Sequence, residues 1–341
     1  MSLRILDANL NRAREGLRTC EEFARLVLND ARAAESAKSV RRTLAQVSDL
    51  LGLERLLSAR NVAADPGLRP DADDVTRGSA ADIARAAIKR AQEALRVIEE
   101  FSQLESPQAA ALAAKARYGA YEAEQQLFVA APRRAVLHSS AVMVLVTRKL
   151  CKLPWQKVLQ ELLAAGACLF QLREKDASAR EFAEFAHAFI ELAPGACVII
   201  NDRADIAALC GAGVHVGQDD LDPQSAREVA GPCAIVGVST HNVTEALRAQ
   251  QAGADYIGLG AMFETATKEV QSVAGPAMIG PVQSGVQLPV FAIGGITPEN
   301  VGQVRQAGGG RVAVSGALLS ADQPGAAYAA LIKALPGSEG A

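Results

Sequence analysis

The feature that most constrains the fold is an alternation of short apolar segments with amphipathic segments, which begins near residue 136. Eight of the apolar segments suit β-strands: Val142–Thr147, Cys168–Arg173, Cys197–Asn201, Val214–Gly217, Ala234–Ser239, Tyr256–Gly260, Val290–Ile293 and Arg311–Ser315. The stretches between them, such as Ser178–Leu192 and Thr244–Ala252, suit helices. Near-continuous apolar strands separated by helices are typical of a parallel sheet covered by helices. The pattern predicts an α/β fold, specifically a (β/α)8 TIM barrel, and an open doubly wound sheet is disfavoured because no Gly-x-Gly-x-x-Gly follows the first strand.

The region before this alternation has a different composition and predicts an all-helical domain. Ala, Glu, Arg and Leu dominate it, and the β-branched runs that mark strands are missing. The segment from Asn11 to Phe23 recurs, in related form, 78 positions later from Lys89 to Phe101. Two related helical units are the simplest explanation of this repeat. We place the domain boundary near Pro132, which gives a helical domain over 1–132 and a barrel domain over 136–341.

The repeated segment places charged and apolar residues on opposite faces of a helix. The charged stripe consists of Arg12, Glu15, Arg18 and Glu22. The opposite face consists of Leu17, Cys20, Ala24 and Val27. The stripe suits a solvated face with Arg–Glu pairs, and a second interpretation is that two such stripes present arginines to a phosphate. The stretch Asn61–Ala80, rich in Asp, Pro, Gly and Ala, predicts a loop between the two helical units.

Composition excludes several kinds of partner. A formal net charge of -3 gives no electrostatic footprint for nucleic acid or for an anionic membrane. No apolar run is long enough for a membrane helix, no signal peptide precedes the first helix, and the six cysteines lack C-x-x-C spacing. We therefore expect a cytoplasmic protein with reduced thiols and small-molecule substrates. The sequence leaves the oligomeric state open, a homo-oligomer included.

Polar or glycine-rich runs follow the predicted strands at the rim where a parallel barrel places its reactive residues. These runs are Gln171–Lys175, Asn201–Arg203, Gly217–Asp220, Ser239–His241, Gly260–Lys268, Gly294–Thr297 and Val314–Gly316. Arg173, Lys175 and Lys268 are cations that can hold phosphoryl oxygens. One such run would mean little, but their occurrence after seven strands predicts an active site on this rim.

Two acidic residues and a glycine pair extend this interpretation. Asp202 and Asp220 follow neighbouring strands, so their carboxylates can share one Mg²⁺, which proteins bind through one or two carboxylates together with substrate phosphates. Gly294 and Gly295 follow the seventh strand, where barrels of this kind often bind a phosphate. The residues by themselves predict a metal-assisted enzyme that acts on two phosphorylated substrates.

The motifs also resemble a known family. Gln-Leu-Arg-Glu-Lys, Ile-Ile-Asn-Asp-Arg, Val-His-Val-Gly-Gln-Asp-Asp, Gly-Val-Ser-Thr-His and Ala-Ile-Gly-Gly-Ile-Thr, in this order and spacing, are similar to thiamine phosphate synthase. The resemblance runs from about residue 140 to about residue 335. It implies a Mg²⁺-dependent transferase that joins hydroxymethylpyrimidine diphosphate to a thiazole phosphate, through a pyrimidine-methylene cation, and releases diphosphate and thiamine phosphate.

The resemblance also implies roles for individual residues. The residues implied to anchor the diphosphate are Arg173, Lys175, Asn201 and Lys268, with Asp202 and Asp220 holding Mg²⁺. Those implied to receive the thiazole phosphate are Thr265, Thr267, Gly295, Val314 and Ser315, and those lining the pyrimidine and diphosphate region are Gln171 and Ser239. Spacing cannot separate Asp219 from Asp220, so the metal is placed on Asp220 by the motif match.

Simpler interpretations apply to three nearby polar residues. Glu174 suits a structural ion-pair partner, and His241 suits a packing or capping residue. His215 lies between apolar neighbours in a predicted strand, which favours a hydrogen-bonded core histidine over a metal ligand. The segment Phe263–Gly275, rich in Thr, Lys, Ser and Gly, is our candidate for a loop that closes over the site.

The helical half resembles a domain often fused to this synthase, through Asp7–Arg18, Lys89–Arg96 and Arg60. That domain has been linked to phosphorylation of hydroxymethylpyrimidine phosphate, which would supply the barrel's substrate. No P-loop or kinase motif supports ATP binding independently, so a non-catalytic oligomerisation module is the competing interpretation. For the barrel, the alternative is a relative that binds or isomerises the thiazole phosphate, which would not need the cations and acidic pair of the diphosphate site.

Overall fold

The computed structural model describes residues 2–61, 78–264 and 274–335. The chain divides into two compact units, Met1–Pro132 and Arg133–Ala341. Each unit has its own hydrophobic core and is described by itself below.

The regular secondary structure in the described part of the first unit is entirely helical. They are α1 (Ser2–Leu26), α2 (Ala31–Leu51), α3 (Leu53–Ser58), α4 (Ala80–Ser102) and α5 (Pro107–Gln125), after which a π-helical turn, Gln126–Ala130, leads into α6 (Ala131–Ser139). Asp30, Ser79 and Ser106 cap α2, α4 and α5 by accepting hydrogen bonds from first-turn N–H groups. Helix α1 packs on α2 and α4, and α5 also packs on both, so the four long helices enclose one core.

The sequence repeat corresponds to a duplicated helix pair. The buried side chains Leu6, Leu10, Ala13, Leu17 and Cys20 of α1 recur 78 positions later as Ala84, Ile88, Ala91, Leu95 and Ile98 of α4. In α2 and α5 the offset is 76, which relates Ala33, Ala37, Val40, Leu44 and Val47 to Ala109, Ala113, Ala116, Ala120 and Ala123. Equivalent positions therefore face the core in both copies. The similarity in sequence is obvious between α1 and α4 and is not obvious between α2 and α5.

The charged stripe forms ion pairs, as the solvated-face interpretation predicted. Arg18 bonds to Glu22 at 2.8 Å, and the equivalent Arg96 bonds to Glu100 at 2.6 Å. Val27 was wrongly placed on the apolar face: it is 55% exposed because α1 ends at Leu26.

The second unit is a closed barrel of eight parallel strands, as the alternation predicted. The strands are β1 (Val142–Val146), β2 (Leu169–Leu172), β3 (Cys197–Asn201), β4 (Gly213–Val216), β5 (Val236–Thr240), β6 (Tyr256–Gly260), β7 (Val290–Ile293) and β8 (Val312–Val314). They neighbour one another in chain order, and β8 closes on β1 with Val142 opposite Val312. Three of the predicted strands have the observed bounds, and the others differ by one or two residues at one or both ends.

Helices surround the strands. They are α7 (Trp155–Ala164), α8 (Ala179–Leu192), α9 (Ala204–Cys210), α10 (Pro223–Ala230), α11 (Val243–Gln251), α12 (Ile279–Gly285), α13 (Val301–Gln306), α14 (Gly316–Leu319) and α15 (Pro324–Ala334), with 3₁₀ turns at Arg148–Leu150 and Pro276–Met278. Ser178 and Glu181 form a capping box that begins α8, and Asn242 caps α11. One core lies between helices and strands, and a second, which includes Tyr256 and Phe291, lies inside the barrel.

Helix α6 contributes to the interior of the barrel. Leu137 is fully buried among the interior residues. The guanidinium of Arg311 donates hydrogen bonds to the carbonyl oxygens of Leu137 and His138 at 3.1 and 2.8 Å. These bonds satisfy carbonyls at the end of α6, and they explain an arginine directly before β8.

Candidate active site

The turn after β3 holds Asp202 in an unusual backbone conformation. Asp202 has a φ of 63°, in the left-handed region, and the N–H of Arg203 bonds to the carbonyl oxygen of Asn201 at 2.8 Å. The N–H of Asp202 is itself bound to the carbonyl oxygen of His215 at 2.8 Å. Such a conformation costs about 1–3 kcal/mol in a non-glycine residue and often occurs at functional sites. These backbone bonds hold the main chain of Asp202 in this conformation at the end of the strand.

Asp202 and Asp220 lie together. Burial raises the pKa of the Asp202 carboxyl, and the Asp220 carboxylate, in hydrogen-bonding contact with it, raises the pKa further. Asp220 is held by the N–H of Gly217, which donates to its Oδ2 at 2.7 Å. Two carboxylates that face each other repel unless a proton or a cation lies between them. The oxygen donors of this pair are those that Mg²⁺ prefers.

The structure also separates Asp220 from Asp219. Asp219 and Asp220 are both exposed, and it is Asp220 whose carboxylate acts on Asp202 through a side-chain hydrogen bond. The pair therefore forms from the residue that the family motif indicated.

Cations stand beside the acidic pair. Arg173 and Lys175 are close enough to lower the pKa of Asp202, against the larger effect of burial and Asp220. A cavity of about 210 Å³ opens here, lined by Glu174, Lys175, Ala177, Phe182, Asn201, Asp202 and Arg203. The backbone of Arg173 is fixed by β1, since its N–H donates to Val146 and its carbonyl oxygen accepts from the Thr147 hydroxyl, both at 2.8 Å. The cavity thus places Asp202, one member of the acidic pair, beside Lys175 and Asn201.

Glu174 has the structural role that we expected. Its carboxylate accepts a hydrogen bond from the N–H of Arg148 at 2.6 Å and lies 3.4 Å from the Nε of that residue. The loops after β1 and β2 are thereby joined.

A chain of buried polar side chains leads from the barrel interior towards the rim. Gln171 Nε2 donates to the Tyr256 hydroxyl at 3.3 Å, and that hydroxyl lies 2.8 Å from His215 Nδ1. His215 Nε2 lies 2.9 Å from the Ser239 hydroxyl. The prediction of a hydrogen-bonded core histidine is confirmed, and Gln171 and Ser239, which the resemblance assigned to one region, are joined through it.

Sequence reasoning missed Tyr256. Its pKa is raised by complete burial. A Cβ at Gly237 would lie 2.1 Å from Cζ of the tyrosine ring, so the glycine makes room for it. Gly237 lies opposite Tyr256 on β6 and opposite His215 on β4. A glycine in the middle of an apolar strand was the signal that a large side chain crosses it.

The turns after β7 and β8 lie near each other because β7 pairs with β8. Gly295 has a φ of 64°, and a Cβ there would lie 2.4 Å from the carbonyl oxygen of Glu264. Gly294 is equally restricted, since a Cβ would lie 2.7 Å from that of Ala261. Val314 is buried at the end of β8, so it offers only its backbone, and the partly exposed Ser315 follows it. Close packing explains the glycine pair.

Three predicted site residues, Thr265, Thr267 and Lys268, lie outside the described residues, as does most of the candidate closing loop. His241 is hydrogen-bonded to Glu245 through both its N–H and Nδ1, at 2.8 Å each, which agrees with a capping role. Over the described ranges, no group of three or more His, Cys, Asp or Glu side chains could hold a metal. No helix in those ranges is long and apolar enough to cross a membrane.

These features define the second unit as a TIM-barrel enzyme with a charged rim site, and comparison with known proteins gives its family. A family profile described as thiamine monophosphate synthase matches residues 142–318, and a second, described as the ThiD2 family, matches residues 4–126. The chain belongs to the thiamine monophosphate synthase family.

Individual relatives extend the similarity to both units. The thiamine-phosphate synthase of Gloeobacter violaceus is 39% identical over 95% of this chain and 94% of its own length. That of Rhodopirellula baltica is 38% identical over 94% of this chain and 89% of its own length. Among solved structures, the thiamine phosphate pyrophosphorylase from Pyrococcus furiosus is 33% identical, with a TM-score of 0.53, over 58% of this chain and 96% of that one.

Proposed function

We propose that the barrel rim catalyses Mg²⁺-dependent synthesis of thiamine phosphate from hydroxymethylpyrimidine diphosphate and thiazole phosphate. The C–O bond between the pyrimidine methylene and the diphosphate breaks, and the diphosphate leaves with the electron pair. The thiazole nitrogen then supplies its lone pair to form the new C–N bond. The observation that carries this proposal is the contact between Asp202 and Asp220 beside Arg173 and Lys175.

The cations assist the departure of the diphosphate. Negative charge on the leaving oxygen grows as the C–O bond lengthens, so fixed positive groups stabilise the transition state more than the bound substrate. Arg173 is suited to this because its backbone is held by β1. Lys175 and the Asn201 amide line the same cavity, and the family resemblance adds Lys268.

The acidic pair supplies the metal site. Asp202 and Asp220 would hold Mg²⁺, which would supply positive charge to the diphosphate oxygens. The pair fits this role because its members are held in place separately, Asp202 by its turn and Asp220 by Gly217. A cation between them also removes their mutual repulsion.

The remaining predicted residues serve the two organic groups. Gln171 and Ser239 would orient the pyrimidine, and the buried chain through Tyr256 and His215 keeps both side chains in place. The turns at Gly295 and at Val314–Ser315 would receive the thiazole phosphate, together with Thr265 and Thr267, as the resemblance implies. The reaction does not require a nucleophilic side chain, because the thiazole nitrogen is the nucleophile.

For the helical unit we propose phosphorylation of hydroxymethylpyrimidine phosphate to the diphosphate, with residues 1–132 as one domain and 136–341 as the other. The match of residues 4–126 to a family that accompanies the synthase supports this assignment. The product of such a domain is the substrate of the barrel.

One turnover assay of the full-length chain tests both activities. Supplied with pyrimidine diphosphate and thiazole phosphate, the chain should form thiamine phosphate with Mg²⁺ and not with EDTA. Supplied with pyrimidine monophosphate and ATP instead, it should release ADP. Synthesis in EDTA at the full rate would contradict the metal-assisted mechanism, and a barrel that only binds or isomerises the thiazole phosphate would form no thiamine phosphate.

A further inference from the structure

The duplication in the helical unit has one place where its two copies differ in chemistry. Buried positions and ion pairs recur between the helix pair α1–α2 and the helix pair α4–α5. At the repeat offsets, however, Asp7 and Arg14 of α1 correspond to Arg85 and Gln92 of α4, and Ser48 of α2 corresponds to Glu124 of α5. Packing of the helices explains why the buried positions recur in both copies. The charged positions that do not recur therefore need a different explanation, specific to one copy.

In the second copy the carboxylate of Glu124 has partners of its own. Gln92 Nε2 donates to Glu124 Oε2 at 2.9 Å, and Lys89 Nζ lies 2.9 Å from Glu124 Oε1. Arg85 lies with its guanidinium 4.4 Å from the centre of the Phe128 ring. Lysine and glutamate therefore satisfy each other, and this copy offers no unpaired charge of either sign at Glu124.

In the first copy the corresponding position holds a cation beside a neutral group. Arg14 donates to the Ser48 hydroxyl at 3.2 Å, in place of the carboxylate that Glu124 provides in the second copy. Ser48 is 5% exposed and in turn donates to the carbonyl oxygen of Leu44 at 3.2 Å. Ser48 thus orients the guanidinium without neutralising it, and among the residues that the structure describes most of the five N–H donors of Arg14 stay available to a ligand.

The neighbouring residues add to the positive charge. Arg60 binds Asp7 through two hydrogen bonds of 2.7 and 2.8 Å, so the buried carboxylate is neutralised, and Arg4 donates to the carbonyl oxygen of Asn61. Counted over these four described side chains alone, the three arginines Arg4, Arg14 and Arg60 and the aspartate Asp7 sum to a charge of +2. Asp7, Asn11 and Arg14 lie on one face of α1 within about 10 Å, from the helical rise of 1.5 Å per residue.

We infer that this face of α1, and not the equivalent face of α4, binds the phosphoryl group of a small phosphate monoester, with Arg14 as its main anion ligand and Ser48 as the residue that positions Arg14. Arginine offers a phosphate two parallel hydrogen bonds, which glutamine cannot replace. The helical unit would therefore bind one monoester, not two, despite its duplication. This inference rests on the proposed function, which makes hydroxymethylpyrimidine phosphate the monoester to test.

Calorimetric titration tests the inference directly. The full-length chain carries Arg173→Ala, Lys175→Ala and Lys268→Ala, which removes the three cations assigned to the diphosphate site of the barrel, and hydroxymethylpyrimidine phosphate is the probe. Arg14→Gln, which copies the residue of the second repeat, should weaken binding tenfold or more. Arg14→Lys should lose less, and Ser48→Ala should weaken binding several-fold with the fold intact by thermal melting.

Lys89→Gln is the matched control, because it removes one exposed positive charge from the same face of the other repeat and should leave the dissociation constant unchanged. Unphosphorylated hydroxymethylpyrimidine is the second control, and its weaker binding should be the same in wild type and Arg14→Gln. Unchanged binding of the monoester in Arg14→Gln, an equal loss in Lys89→Gln, an equal loss for the unphosphorylated compound, or no binding by the parent chain would each overturn the inference. Binding without ADP release would reject only the kinase activity.

Discussion

Carboxylates have opposite surroundings in the two units of this chain. In the helical unit the hydrogen bond from Arg117 to Glu99, at 2.6 Å, lowers the pKa of Glu99. At the barrel rim, burial and a second carboxylate raise the pKa of Asp202. The first carboxylate is paired with arginines inside the protein, whereas the second lies against another carboxylate, as in the metal site proposed above. The opposite directions of the two pKa shifts therefore distinguish a structural ion pair from the proposed metal site.

The largest expected effect is on catalysis at the rim. Asp202→Asn keeps the left-handed backbone, which asparagine tolerates well, but removes a charge from the proposed metal site. We expect kcat/KM for thiamine phosphate synthesis to fall by about 100-fold or more, or roughly 3 kcal/mol of transition-state stabilisation. Asp219→Asn, which makes the same chemical change at the exposed neighbour, should stay within about twofold of wild type. Equal rates in all three proteins would remove the distinction between the two acidic environments.

The next effect concerns stability in the helical unit. Glu99→Gln leaves Arg96 and Arg117 without their common carboxylate, and Glu21→Gln does the same to Arg18 and Arg41 in the other repeat. Each change should lower the free energy of unfolding by about 1–3 kcal/mol, the usual value of hydrogen bonds to charged groups. Chemical denaturation of both variants would measure this, and a large difference between them would contradict the equivalence of the repeats.

The pH dependence follows from the sign of the Glu99 shift. Its folded-state pKa lies below the ordinary 4.5, so its contribution to stability is present above pH 4.5 and is lost as the pH falls through the lowered value. Wild type and Glu99→Gln should therefore differ in stability at neutral pH and converge in acid. A difference that grew below pH 4.5 would show that the ion pair is not its source.

The smallest expected effect is a change in stability at the barrel rim. Its sign should be opposite to that of the changes expected for Glu99→Gln and Glu21→Gln. In EDTA, Asp202→Asn should make the protein slightly more stable, by roughly 0.5–1 kcal/mol, since the variant removes one of two carboxylates that repel each other. This would appear as a rise of about 1–4 °C in the melting temperature. Addition of Mg²⁺ should stabilise wild type and leave the variant unchanged. A loss of stability in EDTA would mean that the two carboxylates are already compensated inside the protein.

Much of the fold was predictable from local patterns. The eight strands follow from short apolar segments, and Cys197–Asn201, Tyr256–Gly260 and Val290–Ile293 were located to the residue. Helix boundaries could be predicted nearly as well, because residues that commonly cap helices precede them: Ser178 precedes α8 and Asn242 precedes α11. The position of polar residues after strands also predicted which rim carries the charged site.

Contacts between residues that lie far apart in the sequence were harder to predict. The duplicated α2–α5 pair was not recognised, because alanines replace Val40 and Leu44 and leave only the spacing of buried positions in common. Tyr256 looked like any apolar strand residue, and its hydroxyl acquires its role only through Gln171 and His215, from two other strands. The error at Val27 arose because periodicity does not show where a helix ends.

The sequence by itself determined a TIM barrel behind a helical region and the residue types gathered on one rim, because strand and helix periodicities and the direction of parallel strands are local properties of the chain. Only the tertiary structure decided that Tyr256 joins Gln171 to His215 and that Glu174 pairs with Arg148. It also decided that Gln92 meets a carboxylate in one helical repeat, whereas the equivalent Arg14 meets a hydroxyl in the other. The physical reason is that charge interactions depend on distance and burial, and both are set by folding of residues that lie far apart in the sequence.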